Sequence, residues 1–74
     1  MTLSEIEQLQ TYLRQRFNDP ALKVMARPNK DDSAEVYIGD EFIGVLFRDE
    51  EDGEISYDFN MAILQIDLPD VGNA

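Results

Sequence analysis

The segment AEVYIGDEFIGVLF, residues 34–47, constrains the fold more than any other part of the chain. Two runs rich in β-branched and aromatic residues flank Gly39-Asp40, and a pair that begins with glycine favours a tight type II′ or I′ turn. A two-residue turn places Val36 opposite Ile43 in an antiparallel hairpin. Because side chains alternate across a strand, this register predicts one apolar face. Its members are Ala34, Val36, Ile38, Ile43, Val45 and Phe47.

The opposite face of this hairpin is unusually apolar for a surface that water would cover. It holds Tyr37, Phe42 and Leu46, with Gly44 between them, and Met25 from the preceding predicted strand enlarges it. Exposed apolar patches of this kind mark interaction sites. Met25, Tyr37, Phe42 and Leu46 therefore form the candidate interaction face.

A second explanation of the same face stays open. The C-terminal segment carries four large apolar residues that could fold over it, namely Ile63, Leu64, Ile66 and Leu68. The cover could come from the same chain, or from a second chain as a swapped segment. Gly44 suits either arrangement, because a glycine in a central strand lets another element approach closely.

The acidic stretch FRDEEDGEISY predicts a second hairpin. The residues of EISYDFNM that follow alternate strictly between apolar and polar, as in a strand with one buried face. A five-residue loop, Asp49–Gly53, puts Ile55 and Phe59 on the apolar face of the first hairpin and opposes Arg48 to Glu54. A four-residue loop would turn them to the other face, so we predict the longer one.

The acids of this stretch do not match a calcium-binding loop. An EF-hand loop requires oxygen ligands at its first, third and fifth positions, glycine at the sixth and glutamate at the twelfth. With Gly53 at the sixth position, Arg48 takes the first and Phe59 the twelfth. The sequence therefore predicts a solvated turn and no metal site.

The N-terminal segment has the period of an amphipathic helix. Its apolar residues are Leu3, Ile6, Leu9, Leu13 and Phe17. Thr2 with Glu5, or Ser4 with Glu7, offers a capping box at the start. Pro20 disfavours helical geometry at the residue before it, so the helix should end near residue 18.

Two further segments complete the predicted fold. ALKVMARP indicates a strand over residues 22–27, followed by a loop in PNKDDS. The segment after residue 60 fits a short helix over 62–67 or a continuing strand, and we expect residues 69–74 to fray. The prediction is an α+β fold in a single domain of residues 1–74, with one N-terminal helix packed on a four-stranded antiparallel meander.

Composition excludes several kinds of chemistry. The 74 residues include no histidine and no cysteine, which removes catalytic triads, Cys–His pairs and thiolate metal sites. The four glycines stand far apart, so no phosphate-binding loop exists. We therefore expect no enzyme activity and no cofactor. With no apolar run long enough to span a membrane and no secretory signal, we expect a soluble cytoplasmic protein.

Charge is divided unevenly along the chain, whose formal net charge is −10. Residues 31–58 carry eleven acids against one base. Residues 14–30 carry five bases against one acid, and these bases form a candidate basic patch of Arg14, Arg16, Lys23, Arg27 and Lys30. The net charge makes nucleic acid an unfavourable partner.

A resemblance to a known family covers nearly the whole chain. The run KDDSAEVYIGDEFIGVLFRDEEDGEISYDFNMAIL and the helix segment LQTYLRQRFNDPALKV before it resemble a family of small bacterial proteins catalogued as a domain of unknown function. The resemblance implies one compact domain in a bacterial cytoplasm. It implies no activity, cofactor or catalytic residue.

Two functional hypotheses follow from these patterns. The first is a small acidic, non-enzymatic protein–protein interaction module that forms a homodimer through its second sheet face or its C-terminal segment. The alternative is a regulatory binding protein that uses the basic patch for an anionic ligand or nucleic acid.

Overall fold

The structure, a computed structural model, describes residues 1–72 and has the predicted α+β architecture. Its elements in chain order are α1 (Leu3–Phe17), β1 (Leu22–Arg27), β2 (Lys30–Ile38), β3 (Glu41–Glu51), β4 (Glu54–Asn60) and a 3-10 turn (Gln65–Asp67). The four strands form one antiparallel sheet in the order β1-β2-β3-β4. The predicted helix on a four-stranded meander is thus confirmed.

Helix α1 begins and ends where its local chemistry requires. Thr2 and Glu5 form the capping box, in which each side chain accepts a hydrogen bond from the other residue's backbone N–H. Asn18 ends the helix in the left-handed region at φ 51°, a conformation that asparagine tolerates better than most residues. The chain then turns through Pro20 into β1.

The core lies between α1 and the first half of the sheet. Its buried apolar residues are Ile6, Leu13, Leu22, Val24, Ala34, Val36 and Leu46. A helix is about 10 Å wide and neighbouring strands are about 4.8 Å apart, so one helix covers roughly two strands. The second half of the sheet receives less cover, chiefly from an edge-to-face contact of Phe17 with Phe59 at 6.4 Å between ring centroids.

Side chains of α1 also protect the free edge of β1. The Gln10 Oε1 atom accepts a hydrogen bond from the Val24 backbone N–H at 3.0 Å. The Arg14 Nε atom donates to the Leu22 carbonyl oxygen at 2.7 Å. Backbone groups on an open strand edge invite pairing with another chain. These two bonds occupy that edge from within the molecule.

The predicted register of the first hairpin is correct at its turn and wrong beyond it. Gly39 has φ +59°, as a glycine-first turn needs, and Ile38 pairs with Glu41. The register then shifts, and Val36 pairs with Gly44 where Ile43 was predicted. Ile43 is the extra residue of a β-bulge, which reverses the facing of the rest of β3.

Gly44 gives the physical reason for the bulge. A Cβ atom on Gly44 would lie 2.5 Å from the Asn60 backbone oxygen and 2.6 Å from the Phe59 Cε1 atom. The end of β4 therefore packs directly on the glycine backbone. Ala34 now pairs with Leu46, which turns into the core instead of away from it.

The second hairpin has a shorter loop than predicted. The turn is Asp52-Gly53, with both φ values positive at 54° and 78°, as a type I′ turn requires. Arg48 therefore pairs with Tyr57, and the predicted pairing of Arg48 with Glu54 is wrong.

The two errors of register have one cause. The one-residue bulge turns the later side chains of β3 to the opposite faces of the sheet. To keep the apolar face of β4 toward the core, the second loop must then differ from the predicted five residues by an odd number. A two-residue loop satisfies that condition. Phe59 accordingly still packs against the core, opposite Leu46.

Two connecting segments also differ from prediction. Strand β2 begins at Lys30, so the predicted loop in PNKDDS shrinks to Pro28-Asn29, where Asn29 has φ 61°. The short helix over 62–67 is reduced to the 3-10 turn Gln65–Asp67, because Pro69 holds the residue before it in an extended conformation. The expected fraying of 69–74 falls partly on residues 73–74, which lie outside the described residues.

Candidate interaction surface

The sheet surface that faces away from α1, here called the far face, carries an apolar stripe. The stripe consists of Met25, Tyr37, Phe42, Val45 and Phe47. Met25 and Phe42 are each 51% exposed and Phe47 is 40% exposed, while Tyr37 and Val45 are half-buried. The stripe crosses β1, β2 and β3, so it occupies the middle of the sheet and is not confined to an edge.

Neighbouring polar contacts fix the middle of the stripe. The rings of Tyr37 and Phe42 meet edge to face with centroids 5.7 Å apart. The Tyr37 hydroxyl donates a hydrogen bond to Glu35 at 2.9 Å, which raises the pKa of that tyrosine. Arg27 lies 4.0 Å from the same carboxylate. These contacts hold the aromatic pair in one arrangement, so the surface is preformed.

The predicted candidate face is divided between the two sides of the sheet. Met25, Tyr37 and Phe42 lie together on the far face, but Leu46 is 2% exposed in the core on the opposite side. Val45 and Phe47 take its place. A glycine inside a strand is a recognised signal of a bulge. At residue 44 that signal could have placed both Val45 and Phe47 on the far face.

The C-terminal segment leaves the apolar stripe open. Ile66 is 87% exposed, Ile63 and Leu68 are also exposed, and Met25 and Phe42 remain half-exposed. The segment borders the β3 residues of the stripe, Phe42, Val45 and Phe47. There a cleft of about 660 Å³, here called the tail cleft, lies between β3 and the segment, with Asn60, Met61 and Leu64 also in its wall.

Charges of opposite sign flank the stripe on the far face. On the β1 side lie Lys23 and Arg27, and on the β4 side lie Glu54 and Asp58. Alternation along each strand places all four on the far face, since Val24 and Phe59 pack against the core. The far face therefore carries bases on β1 and acids on β4, with Glu35 of β2 inside the apolar stripe and further acids on β3.

The five residues of the predicted basic patch do not converge on one surface. Arg14 is held by the Leu22 carbonyl, and Arg27 by Glu35 and by a 3.3 Å hydrogen bond to the Ser33 hydroxyl. Arg16 is exposed on α1, Lys23 on the far face and Lys30 at the start of β2. Two of the five charges thus already serve contacts within the chain.

A cluster that the sequence did not reveal joins α1 to the second half of the sheet. The Tyr57 hydroxyl donates to the Glu5 Oε2 atom at 2.6 Å, and the Arg48 Nε atom lies 3.1 Å from the same oxygen without the alignment of a hydrogen bond. With the Thr2 backbone N–H and these partners, the carboxylate is stabilised and the pKa of Glu5 falls to about 2. The same bond raises the pKa of Tyr57.

The acids of FRDEEDGEISY lie on paired strands and diverge. Arg48 binds Glu50 at 3.5 Å on the helix side, whereas Asp49 and Glu51 alternate to the far face. Glu51 pairs directly with Glu54, a like-charge pair across the hairpin. Within residues 1–72, no three potential metal-binding side chains come together.

No helix within residues 1–72 is long and apolar enough to cross a bilayer.

A comparison with protein-family models decides where the chain belongs. The model described as a protein of unknown function, DUF3126, matches residues 5–67. The chain belongs to the DUF3126 family. This confirms the resemblance to a domain of unknown function. The matched range of DUF3126 includes Glu5, the apolar stripe and the tail cleft, and the family's description names no activity or ligand.

No curated protein and no solved structure matches this DUF3126 chain.

Proposed function

We propose that this DUF3126 chain is a small acidic, non-enzymatic protein–protein interaction module that self-associates through the far face. The observation that carries the proposal is the apolar stripe, in which Met25, Phe42 and Phe47 are 40–51% exposed. Exposed apolar residues scattered singly need no explanation, but a contiguous set in the middle of a sheet does.

Layer architecture supports the proposal. A sheet with apolar residues on both faces is stable when both faces are covered. Helix α1 covers one face, and on the other face residues 61–67 only line a cleft with the β3 part of the stripe, where Phe42 and Phe47 remain 51% and 40% exposed. Burying one fully exposed Met or Phe side chain would contribute about 1.5–3 kcal/mol to the free energy of association. These three side chains are already about half-buried, so covering them contributes roughly half of the sum for three. A second protein surface supplies the missing layer.

The size of the far face indicates a weak association. Four strands at about 4.8 Å spacing and about six residues of 3.3 Å each give a footprint of roughly 20 Å by 20 Å. Stable interfaces bury about 800 Å² on each partner, which exceeds this footprint. We therefore expect a weak association that becomes visible only at high protein concentration.

The absence of catalysis belongs to the same proposal. The groups with perturbed pKa values, Glu5, Tyr37 and Tyr57, form hydrogen bonds within the chain and do not line the tail cleft. The chain also has no histidine or cysteine to act as base or nucleophile. We place the module in the cytoplasm, since a chain without cysteine suits a reducing compartment.

The alternative, a regulatory site for an anionic ligand on the basic patch, has less support. Arg14 and Arg27 are bound within the chain, and the three exposed bases lie on separate elements. Binding through such charges would weaken steeply as salt concentration rises, whereas association through the apolar stripe would not.

Sedimentation velocity of the wild type from about 1 µM to about 1 mM tests self-association. We expect a concentration-dependent shift from monomer to dimer, and loss of that shift in Phe47→Ser. Ile55→Ser is the matched control, because Ile55 is 49% exposed but lies on the helix side of β4. A wild type that stays monomeric throughout, or equal losses in both variants, would refute the proposal.

A further inference from the structure

We propose that the outer edge of β4, the side away from β3, binds an extended segment of a partner protein as a fifth strand of the sheet. The segment has basic side chains on one face and apolar side chains on the other. Addition of a strand to an open sheet edge is a recurrent mode of peptide recognition. This edge is a different surface from the far face, and the inference does not depend on self-association there.

The two edges of the sheet differ in what occupies them. Strand order places β1 at one edge and β4 at the other. At the β1 edge, Gln10 accepts from the Val24 backbone N–H and Arg14 donates to the Leu22 carbonyl oxygen. Within residues 1–72, β3 is the only strand that pairs with β4. Because an open strand edge is a template for pairing, β4 is the edge at which another strand can be added.

The second hairpin determines which backbone groups of β4 face outward. Its two-residue turn is flanked by the pair Glu51 and Glu54. In such a hairpin the two residues beside the turn bond to each other, and bonded pairs then alternate along the ladder. The even-numbered residues of β4 therefore bond to β3. Ile55, Tyr57 and Phe59 present their N–H and C=O groups to the outer edge.

The side chains of these three residues lie on the helix side of the sheet and require an apolar partner. Ile55 is 49% exposed, and Phe59 packs against the core. A groove of about 420 Å³ lies between α1 and β4, with Tyr57, Phe59 and the basic residue Arg16 among its lining residues. Apolar side chains of an added strand would cover Ile55 and continue this surface. A basic side chain on this side would instead approach Arg16.

The other face of β4 requires basic side chains. Glu54 and Asp58 are exposed on the far face, four residues apart, with Ser56 between them. Opposite charges directly across a strand pair stabilise it. A second copy pairing through β4 would instead place four acids on one face of the joined sheet, and each copy carries a formal net charge of −10. Charge therefore favours a basic segment as the occupant.

Strand β1 contains the pattern that such a segment needs. In LKVMAR, Lys23 and Arg27 are four residues apart and share one face. Laid antiparallel on β4 with Val24 opposite Tyr57, these two bases lie opposite the two acids. In the folded chain, α1 holds the edge of β1, so β1 of another copy is not free to pair. A peptide with this sequence has the required charges and a free backbone, and it serves as the probe.

A titration followed by NMR tests the proposal. The peptide ALKVMAR, which repeats residues 21–27, is blocked at both ends and added to the isotope-labelled chain up to about 2 mM. We expect the largest amide shifts, and slowed amide exchange, at Ile55, Tyr57 and Phe59. The control peptide AKRLVMA has the same composition and charge but adjacent bases, and it should bind at least about fivefold more weakly.

A charge reversal on the chain provides a second, independent readout. Asp58→Lys should raise the dissociation constant of ALKVMAR about fivefold, because one attractive pair across the strands becomes repulsive. Glu7→Lys, on the exposed side of α1, changes the net charge by the same amount and is the matched control. It should raise the constant less than about twofold, since its charge is screened at that distance. Circular dichroism establishes that both variants are folded.

The outcomes separate this inference from the alternatives. Shifts at the three β4 amides, with selectivity for the patterned peptide and for Asp58, support it. No binding, equal binding of the two peptides, or equal weakening by both variants would overturn it, since the last two results mean that only net charge is recognised. If the unlabelled chain alone shifts the same three amides, the occupant is a second copy and the basic partner is wrong. Self-association through the far face is measured without peptide, so either proposal can fail while the other stands.

Discussion

Substituting Gly44 by alanine should destabilise the fold through a collision that the structure locates. The added Cβ would lie 2.5 Å from the Asn60 backbone oxygen and 2.6 Å from the Phe59 ring, both far inside van der Waals contact. The ring can rotate, but the backbone oxygen moves only if the end of β4 moves with it. Overpacking of this kind costs about 1–3 kcal/mol, and the backbone contact favours the upper end.

An opposing effect reduces this cost slightly. Alanine inside a strand is better than glycine by roughly 0.5–1 kcal/mol, because the unfolded glycine has more freedom to lose. The net expectation for Gly44→Ala is therefore about 2 kcal/mol, or a fall in Tm of roughly 8–16 °C for a domain of this size.

Thermal unfolding followed by circular dichroism measures the effect at one fixed protein concentration. Adding Phe59→Leu to Gly44→Ala removes part of the collision, so the two changes together should cost less than their sum. Gly44 is not among the glycines with positive φ, so the loss of stability in Gly44→Ala reports the collision and not backbone strain. A Gly44→Ala protein as stable as the wild type would refute the packing argument and the reason given for the bulge.

Three further substitutions test other contacts. Glu5→Gln should destabilise the protein at neutral pH, and its difference in unfolding free energy from the wild type should shrink as pH falls from about 5 to about 2. The reason is that the ionised carboxylate contributes stability above its unfolded pKa of 4.5 and loses that contribution toward the folded pKa of about 2. Urea titrations across that range measure the difference, and a difference that is equal at every pH would contradict the argument. Glu51→Lys should raise Tm by roughly 2–4 °C by removing the like-charge pair with Glu54, and a lower Tm would contradict the β3–β4 register. Gln10→Ala should lower Tm by about 4–8 °C and speed hydrogen exchange at the Val24 amide, and unchanged exchange there would show that the helix does not protect the β1 edge.

Local signals in the sequence were sufficient for the helix, the first strand and the overall architecture. The Thr2–Glu5 capping box and the proline at residue 20 set the bounds of α1 within the chain itself. The strand Leu22–Arg27 and the turn at Gly39 likewise depend on residues next to one another. Such features follow from sequence because the groups that decide them are only a few residues apart.

Features decided by distant residues escaped prediction. The bulge at Ile43 exists because β4 packs on Gly44, and β4 comes some fifteen residues later. Because of the extra residue in the bulge, the second loop is shorter than predicted. For the same reason Val45 and Phe47 lie on the far face, where Leu46 was predicted. The contact of Glu5 with Tyr57 spans 52 residues, and no local pattern indicates such a pair.

Methyl NMR of a dilution series tests the central claim, self-association through the far face, most directly. Between about 1 mM and about 20 µM, we predict that the Met25 and Val45 methyl signals shift continuously toward monomer positions. The signals of Val24 and Leu13, which are buried in the core between α1 and the sheet, should stay fixed as internal references. Met25 and Val45 signals that do not move with concentration would contradict the claim, as would shifts confined to methyl groups on the helix side of the sheet.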